Sequence, residues 1–160
     1  MNWAHLHLLS NHIPVLGTVF GLLLLMWGMV RRNASIQRAA LATFFVAALV
    51  AIPVFFTGEP AEDAVEHLAG TAEGAIETHE DAALLSLISV EVLGVIAVLG
   101  FIRRRANLSR FVTRSALVLA IVTAGLMART ANLGGKIRHA ELRGATAPQQ
   151  ESEERAGGDR

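Results

Sequence analysis

Six imidazoles are the groups in this 160-residue chain whose chemistry is easiest to name: His5, His7, His12, His67, His79 and His139. Neutral imidazole is a common ligand for zinc, copper and iron. Carboxylates stand beside several of them, with Glu66 adjoining His67 and Glu80 adjoining His79. Glu62 and Glu66 are four apart and share one face of any helix that contains them. Such groups suit a His/carboxylate site for a transition metal (Zn, Cu or Fe) or the axial ligation of haem b. The candidate ligands are His12, His79 and His139, with His5, His67 and Glu66 as secondary candidates. No Glu-x-x-His or His-x-x-x-His pair occurs, so spacing alone selects no metal.

A second kind of chemistry belongs to Glu91, which interrupts the otherwise uncharged run LLSLISVEVLGVIAVLGF. A carboxylate within hydrocarbon costs about 3 kcal/mol on insertion scales and usually turns toward a bundle interior or a water cavity. There it would relay protons, hold an ion or support a bound metal from nearby. Its plain structural role would be a hydrogen bond to Ser86, Ser89 or Thr123.

Other chemistries find no support. The chain has no cysteine, which removes disulfides, thiolate metal sites and iron–sulfur clusters. It carries no P-loop, dinucleotide fingerprint, nucleophile elbow or His-Glu-x-x-His motif, so no soluble hydrolase or kinase reaction is indicated. Whether the protein is an enzyme is left open by these residues. The formal net charge is zero with no polybasic segment, so no nucleic-acid partner is expected.

The elements that must position these groups are apolar runs. They predict an all-α, polytopic four-helix transmembrane bundle with spans at about 13–30, 39–57, 82–102 and 111–131. Each approaches the roughly 20 residues that cross a ~30 Å hydrocarbon core. The first run lacks a basic leader and ends in Arg31-Arg32, so it reads as a retained span. Residues 1–143 form the membrane domain. The stretch 144–160 is polar and poor in large apolar residues, the composition of a disordered tail.

Charge sets the expected orientation. The connections at 31–38 and 103–114 carry arginines and no acid, whereas 58–81 carries eight carboxylates and no Lys or Arg. Basic loops stay on the cytoplasmic side. Both termini and the acidic segment are therefore expected outside, on the periplasmic face of a bacterial inner membrane. All six histidines then fall at the outer helix mouths. Their sidedness alone is weak evidence, because most of the chain outside the spans lies on that side.

Local signals refine the elements. The first helix starts at Pro14, or else runs from about Trp3 and kinks at Pro14. In the second case His5 and His12, seven apart, share a face and His7 points away. Gly17 and Gly21 form a small-xxx-small pair that permits close helix approach. Pro53 should kink or stop span 2. Residues 60–69 read as a short surface helix, Thr78 with Asp81 as a helix cap, and Gly134-Gly135 as the end of span 4. An electrostatic lid is expected over the outer end, pairing Glu59 and Glu62 with Arg129, Lys136 and Arg138.

The combination of His12-Ile13-Pro14, Thr57-Gly58-Glu59-Pro60-Ala61-Glu62, Ile76-Glu77-Thr78-His79-Glu80 and Leu133-Gly134-Gly135-Lys136-Ile137-Arg138-His139 resembles a group of small uncharacterised bacterial four-helix membrane proteins that carry a domain-of-unknown-function label. The resemblance covers about residues 1–142. It implies architecture and inner-membrane residence and implies no activity. The expectation is an outer-facing metal- or haem-binding subunit for electron transfer or metal handling. Two alternatives stand beside it. One is an accessory or scaffold subunit of a larger membrane complex, held through Gly17/Gly21 or the acidic segment. The other is a small homo-oligomeric, proton-linked transporter using Glu91.

Overall fold

The computed structural model describes residues 3–63, 73–102 and 106–138. All regular structure among them is helical: α1 (Trp3–Ser10), α2 (His12–Val30), α3 (Ala34–Phe56), α4 (Gly58–Asp63), α5 (Glu73–Ile102) and α6 (Ala106–Arg138). The long helices alternate in direction, and α2, α3, α5 and α6 close a ring in that order, each packed on its neighbours. The antiparallel register shows in paired residues. Gly17 and Gly21 of α2 meet Ala47 and Phe44 of α3, Gly94 of α5 meets Ala48, and Ser89 of α5 meets Thr123 of α6. The Gly17/Gly21 pair therefore serves packing within the chain.

The first helix runs from Trp3, and its interruption falls at Asn11 rather than at the proline. Asn11 keeps helical angles (φ −61°, ψ −24°) and its N–H still reaches the His7 carbonyl at 2.9 Å. The break sits where Pro14 acts: a proline removes the N–H that would bond the carbonyl four residues earlier, here Ser10, and its ring crowds that carbonyl. His12 lies inside α2, not ahead of it.

The α2–α3 turn is closed by two local devices. Arg32 takes a left-handed conformation (φ 50°), the Asn33 N–H bonds the Gly28 carbonyl at 2.9 Å and the Arg32 N–H bonds that of Met29 at 3.1 Å. This is the Schellman pattern that satisfies the last carbonyls of a helix. The Asn33 side chain then caps α3, accepting from the N–H groups of Ser35 and Ile36. Pro53 is carried within the last turn of α3, which stops three residues later at Phe56.

Two core layers fill the ring. Leu25, Ala40, Leu41, Phe44, Leu93, Ala97, Ala116 and Ala120 form the one nearer the arginine-bearing turn. Ala47, Ala48, Ala51, Val90 and Met127 form the other, with Val15 and Leu87 against them. Alanine supplies half of the first layer and three of the five residues of the second, which lets backbones approach as they do in membrane bundles. Many other large apolar residues point outward, among them Leu16, Phe20, Leu23 and Trp27 on α2 and Val118, Ile121 and Val122 on α6. A water-soluble bundle would place such residues inside. Four stretches, His5–Val30, Ala34–Phe56, Ile76–Ile102 and Arg110–Ile137, are long and apolar enough to cross a membrane.

Several elements outrun their expected bounds. α4 begins at Gly58 and is described to Asp63, and the remainder of 60–69 lies outside the described residues, as does 144–160. α5 starts at Glu73, so Thr78 is interior to it and donates its hydroxyl to the Gly74 carbonyl instead of capping. α6 passes through Gly134-Gly135 and continues to Arg138. These glycines do not end the helix, and Gly134 has a packing role at the site below.

Candidate functional site

The site lies at the end of the bundle opposite the arginine-bearing turn, where α1, the α3–α4 junction, the start of α5 and the end of α6 meet. Its first fixed group is His7. The Thr57 hydroxyl donates to the Val54 carbonyl at 2.7 Å, so its one proton is committed. The Nδ1 of His7 lies 3.1 Å from that hydroxyl oxygen and 3.2 Å from the same carbonyl oxygen. A carbonyl only accepts, and this hydroxyl has only a lone pair left. Nδ1 must therefore carry the proton and donate to both. The Nε2 lone pair of neutral His7 is left for another partner.

His79 repeats the arrangement from the other side. Its Nδ1 lies 3.0 Å from the Thr130 carbonyl of α6, so Nδ1–H donates and Nε2 is again the open nitrogen. The ring rests on α6 at Gly134, where an added Cβ would stand 3.0 Å from Cε1 and 3.3 Å from Nδ1. A glycine at this position lets the imidazole lie against the helix backbone. Both rings are half-buried, and they are close enough to interact electrostatically. Imidazoles that bind metals commonly tie the second ring nitrogen to a carbonyl in this way, which fixes tautomer and orientation.

Hydroxyls continue inward from His79 along the α5–α6 seam. Thr130 donates to the Leu126 carbonyl and lies 2.9 Å from Ser86, whose hydroxyl then donates to it. Deeper, Thr123 donates to Leu119 and accepts from Ser89 at 2.7 Å. Each hydroxyl thus has an assigned partner, and the pairs join α5 to α6 across the bundle.

The other sequence candidates are distributed differently. His5 and His12 do share one face of the first helix, and that face is the exposed one; the His12 Nδ1 donates to the Leu8 carbonyl of its own helix at 3.1 Å. His7 does point away from them, into the bundle. His67, Glu66 and His139 lie outside the described residues, so the His12, His79 and His139 set is represented by two of its members. Among the described residues no group of three or more His, Asp or Glu is gathered closely enough to hold a metal ion. Of the lid residues, Glu59 and Glu62 sit on α4 beside α1, Arg129 is exposed on α6, Lys136 is half-buried, and the Arg138 side chain lies outside the described residues.

The structure places His7 in line with the packed face of α2. Residues 7, 14, 21 and 28 lie seven apart and read His-Pro-Gly-Gly, and Pro14, Gly21 and Gly28 are all buried. The parallel line 5, 12, 19, 26 reads His-His-Val-Met and is exposed throughout. A face made of small residues is a helix-packing face, and His7 stands on its extension.

Glu91 does not bond the hydroxyls expected for it, since Ser86 and Ser89 are occupied by Thr130 and Thr123. Its Oε1 is buried without a hydrogen-bond partner among the described residues. The same holds for the Thr18 hydroxyl in the bundle interior and for Oδ1 of Asn11 at the α1–α2 break.

Fold and site together define a bundle of four potential membrane-crossing helices with a paired-imidazole, hydroxyl-lined end. Comparison with known proteins finds no matching family model, no matching curated relative and no matching solved structure.

Proposed function

We propose that this chain is an integral protein of a bacterial inner membrane, with both termini outside, whose histidine-bearing end binds a transition metal ion, free or as haem iron. The metal would serve electron transfer or metal handling. One observation carries the assignment: His7 and His79, from different helices, each hold Nδ1 against a main-chain carbonyl and leave Nε2 open. Zinc, copper and iron all accept imidazole nitrogen, and pre-oriented rings bind them with less ordering cost. His7 takes the place given to His12, whose ring lies on the exposed line. His139, which lies outside the described residues, is the third ligand in this reading. Orientation follows from the arginines at the α2–α3 turn and the acids of α4 and early α5.

Elemental analysis and a UV–visible spectrum of detergent-purified protein test the assignment. Stoichiometric Zn, Cu or Fe is expected, with a Soret band if the iron is in haem. The paired substitution His7→Ala with His79→Ala should lower metal content at least about tenfold, the usual scale for lost ligands and their support. Metal-free wild-type protein after growth in metal- and haem-supplemented medium would reject it, as would unchanged metal content in the double variant.

A further inference from the structure

The end of the bundle opposite the imidazoles is rich in arginine and has no acid beside it in the sequence. Eight arginines fall within 31–38 and 103–114, and no Asp or Glu occurs in residues 1–58 or 92–140. At the α2–α3 turn Arg31, Arg32 and Arg38 are all exposed. The Arg31 guanidinium lies over the Trp27 ring, 5.6 Å from its centroid. Stacking occupies the flat face of the group and leaves its N–H edges, through which a guanidinium takes a phosphate by two parallel bonds. Arg32 holds the left-handed position (φ 50°) that glycine usually takes at a helix end, and so brings a second cation to the same turn. An apolar track leads up to Arg31. Phe20, Leu23, Trp27 and Arg31 follow one another at spacings of three and four residues, so they share a face. The first three are exposed by 60, 59 and 57%. From Phe20 to Arg31 the helix rises about 16 Å, roughly half of a ~30 Å hydrocarbon core and thus the depth of one leaflet. Exposed apolar residues line the other long helices too; here a guanidinium resting on an aromatic ring closes the track.

We propose that Trp27, Arg31 and Arg32 form a binding site for an acidic phospholipid of the phosphatidylglycerol type. Its headgroup phosphate sits on Arg31 and Arg32, and an acyl chain follows Trp27, Leu23 and Phe20 into the leaflet. Charge selects the headgroup. A phosphodiester without an amine brings the negative charge that this end of the chain lacks. The ammonium of a zwitterionic headgroup would instead meet further arginines and no carboxylate. The indole and the apolar track select a lipid over a soluble anion, since tryptophan settles at the level of the headgroups and the track below it is as deep as a leaflet.

This site rests on the membrane reading, and one experiment separates the two. Trp3 and Trp27 are the only tryptophans, so full-length Trp3→Phe protein reports from Trp27 alone. It is reconstituted into vesicles of equal phosphatidylglycerol and phosphatidylcholine, with bromine, a short-range quencher, on the acyl chains of one lipid or of the other. The composition is the same in both, so only the lipid held beside Trp27 differs. Phosphatidylglycerol should take that position about fivefold more readily than phosphatidylcholine, the scale of one arginine at a charged membrane surface. Arg31→Gln with Arg32→Gln should bring the ratio close to one while helix content by circular dichroism is retained. Arg129→Gln, exposed on α6 toward the other end, should leave the ratio unchanged, as should His7→Ala with His79→Ala. Trp27→Phe protein, which reports from Trp3, should show no preference. Exchanging chloride for inorganic phosphate at constant ionic strength should not alter the Trp27 ratio. Quenching by neither label would overturn the membrane reading and this site with it. Equal quenching by both labels, or a preference that survives the double arginine substitution, would overturn the site and leave the membrane reading standing. Loss of the preference to inorganic phosphate would overturn it in favour of a soluble anion.

Discussion

An imidazole is a good ligand when its ring is already turned, and two small residues do the turning here. Thr57 supplies an acceptor only because its own proton is taken by Val54. Thr57→Val keeps the side-chain shape and removes that acceptor from His7. Zinc affinity measured by isothermal titration should fall about tenfold, the scale found for residues that orient metal-bound histidines. Thr43→Val, which removes an exposed hydroxyl bonded to Ala39 of its own helix, should not change it. Gly134 does the turning for His79. Gly134→Ala places a Cβ 3.0 Å from the ring, so the ring must shift by tenths of an ångström and its bond to Thr130 weakens. Alanine also favours the helix by about 1 kcal/mol over glycine. The unfolding temperature should therefore hold steady or rise while metal affinity drops. A variant that binds metal as well as the parent would show that the ring is not a ligand.

At the scale of elements, the bundle is held by how closely its helices approach. Gly21 is the tightest contact between α2 and α3: a Cβ there would stand 2.6 Å from Cε1 and 2.8 Å from Cδ1 of Phe44. Phe44 is wholly buried in the core layer it would have to shift within. Gly21→Ala should destabilise the protein by about 1–3 kcal/mol, the range for overpacked cores, read as a lower midpoint in thermal or denaturant unfolding in micelles. Gly125→Ala is the internal control. Nothing lies within 4 Å of its Cβ position, so it should be neutral or stabilising through helix propensity alone.

The whole molecule is polarised from end to end. Arg31 and Arg32 mark the α2–α3 turn, whereas Glu59, Glu77, Glu80 and Asp81 mark the other end. If the arginine end is cytoplasmic, a cysteine at Asn33 in this cysteine-free chain should resist an impermeant maleimide in cells with an intact inner membrane and react after lysis. A cysteine at Glu59 should react in both. The reverse pattern would invert the assigned topology and move the imidazole pair to the cytoplasm. The imidazoles and the Ser86–Thr130 pair share one end, whereas the Ser89–Thr123 pair lies at mid-span, where each hydroxyl is satisfied by a bond within or between α5 and α6.

The number of long helices, their apolar character and the polarity of the chain were legible from the residues alone, because these depend on composition over about 20 residues and on charges between the runs. The Gly17/Gly21 packing face was legible too, since small-residue spacing is itself the signal. Helix ends were less so. Thr78 and Gly134-Gly135 have the residue types of caps, yet local preference yields when a neighbour uses the position, as His79 uses Gly134. The tertiary structure alone decided which histidine turns inward. His5, His7 and His12 are chemically identical, and what separates them is the helix phase that Gly21 and Gly28 impose against α3, together with the Val54 and Thr57 oxygens that α3 brings to His7 from some 50 residues away. A hydrogen bond across that separation has no trace in local spacing. It exists only once the packing has set the two helices side by side.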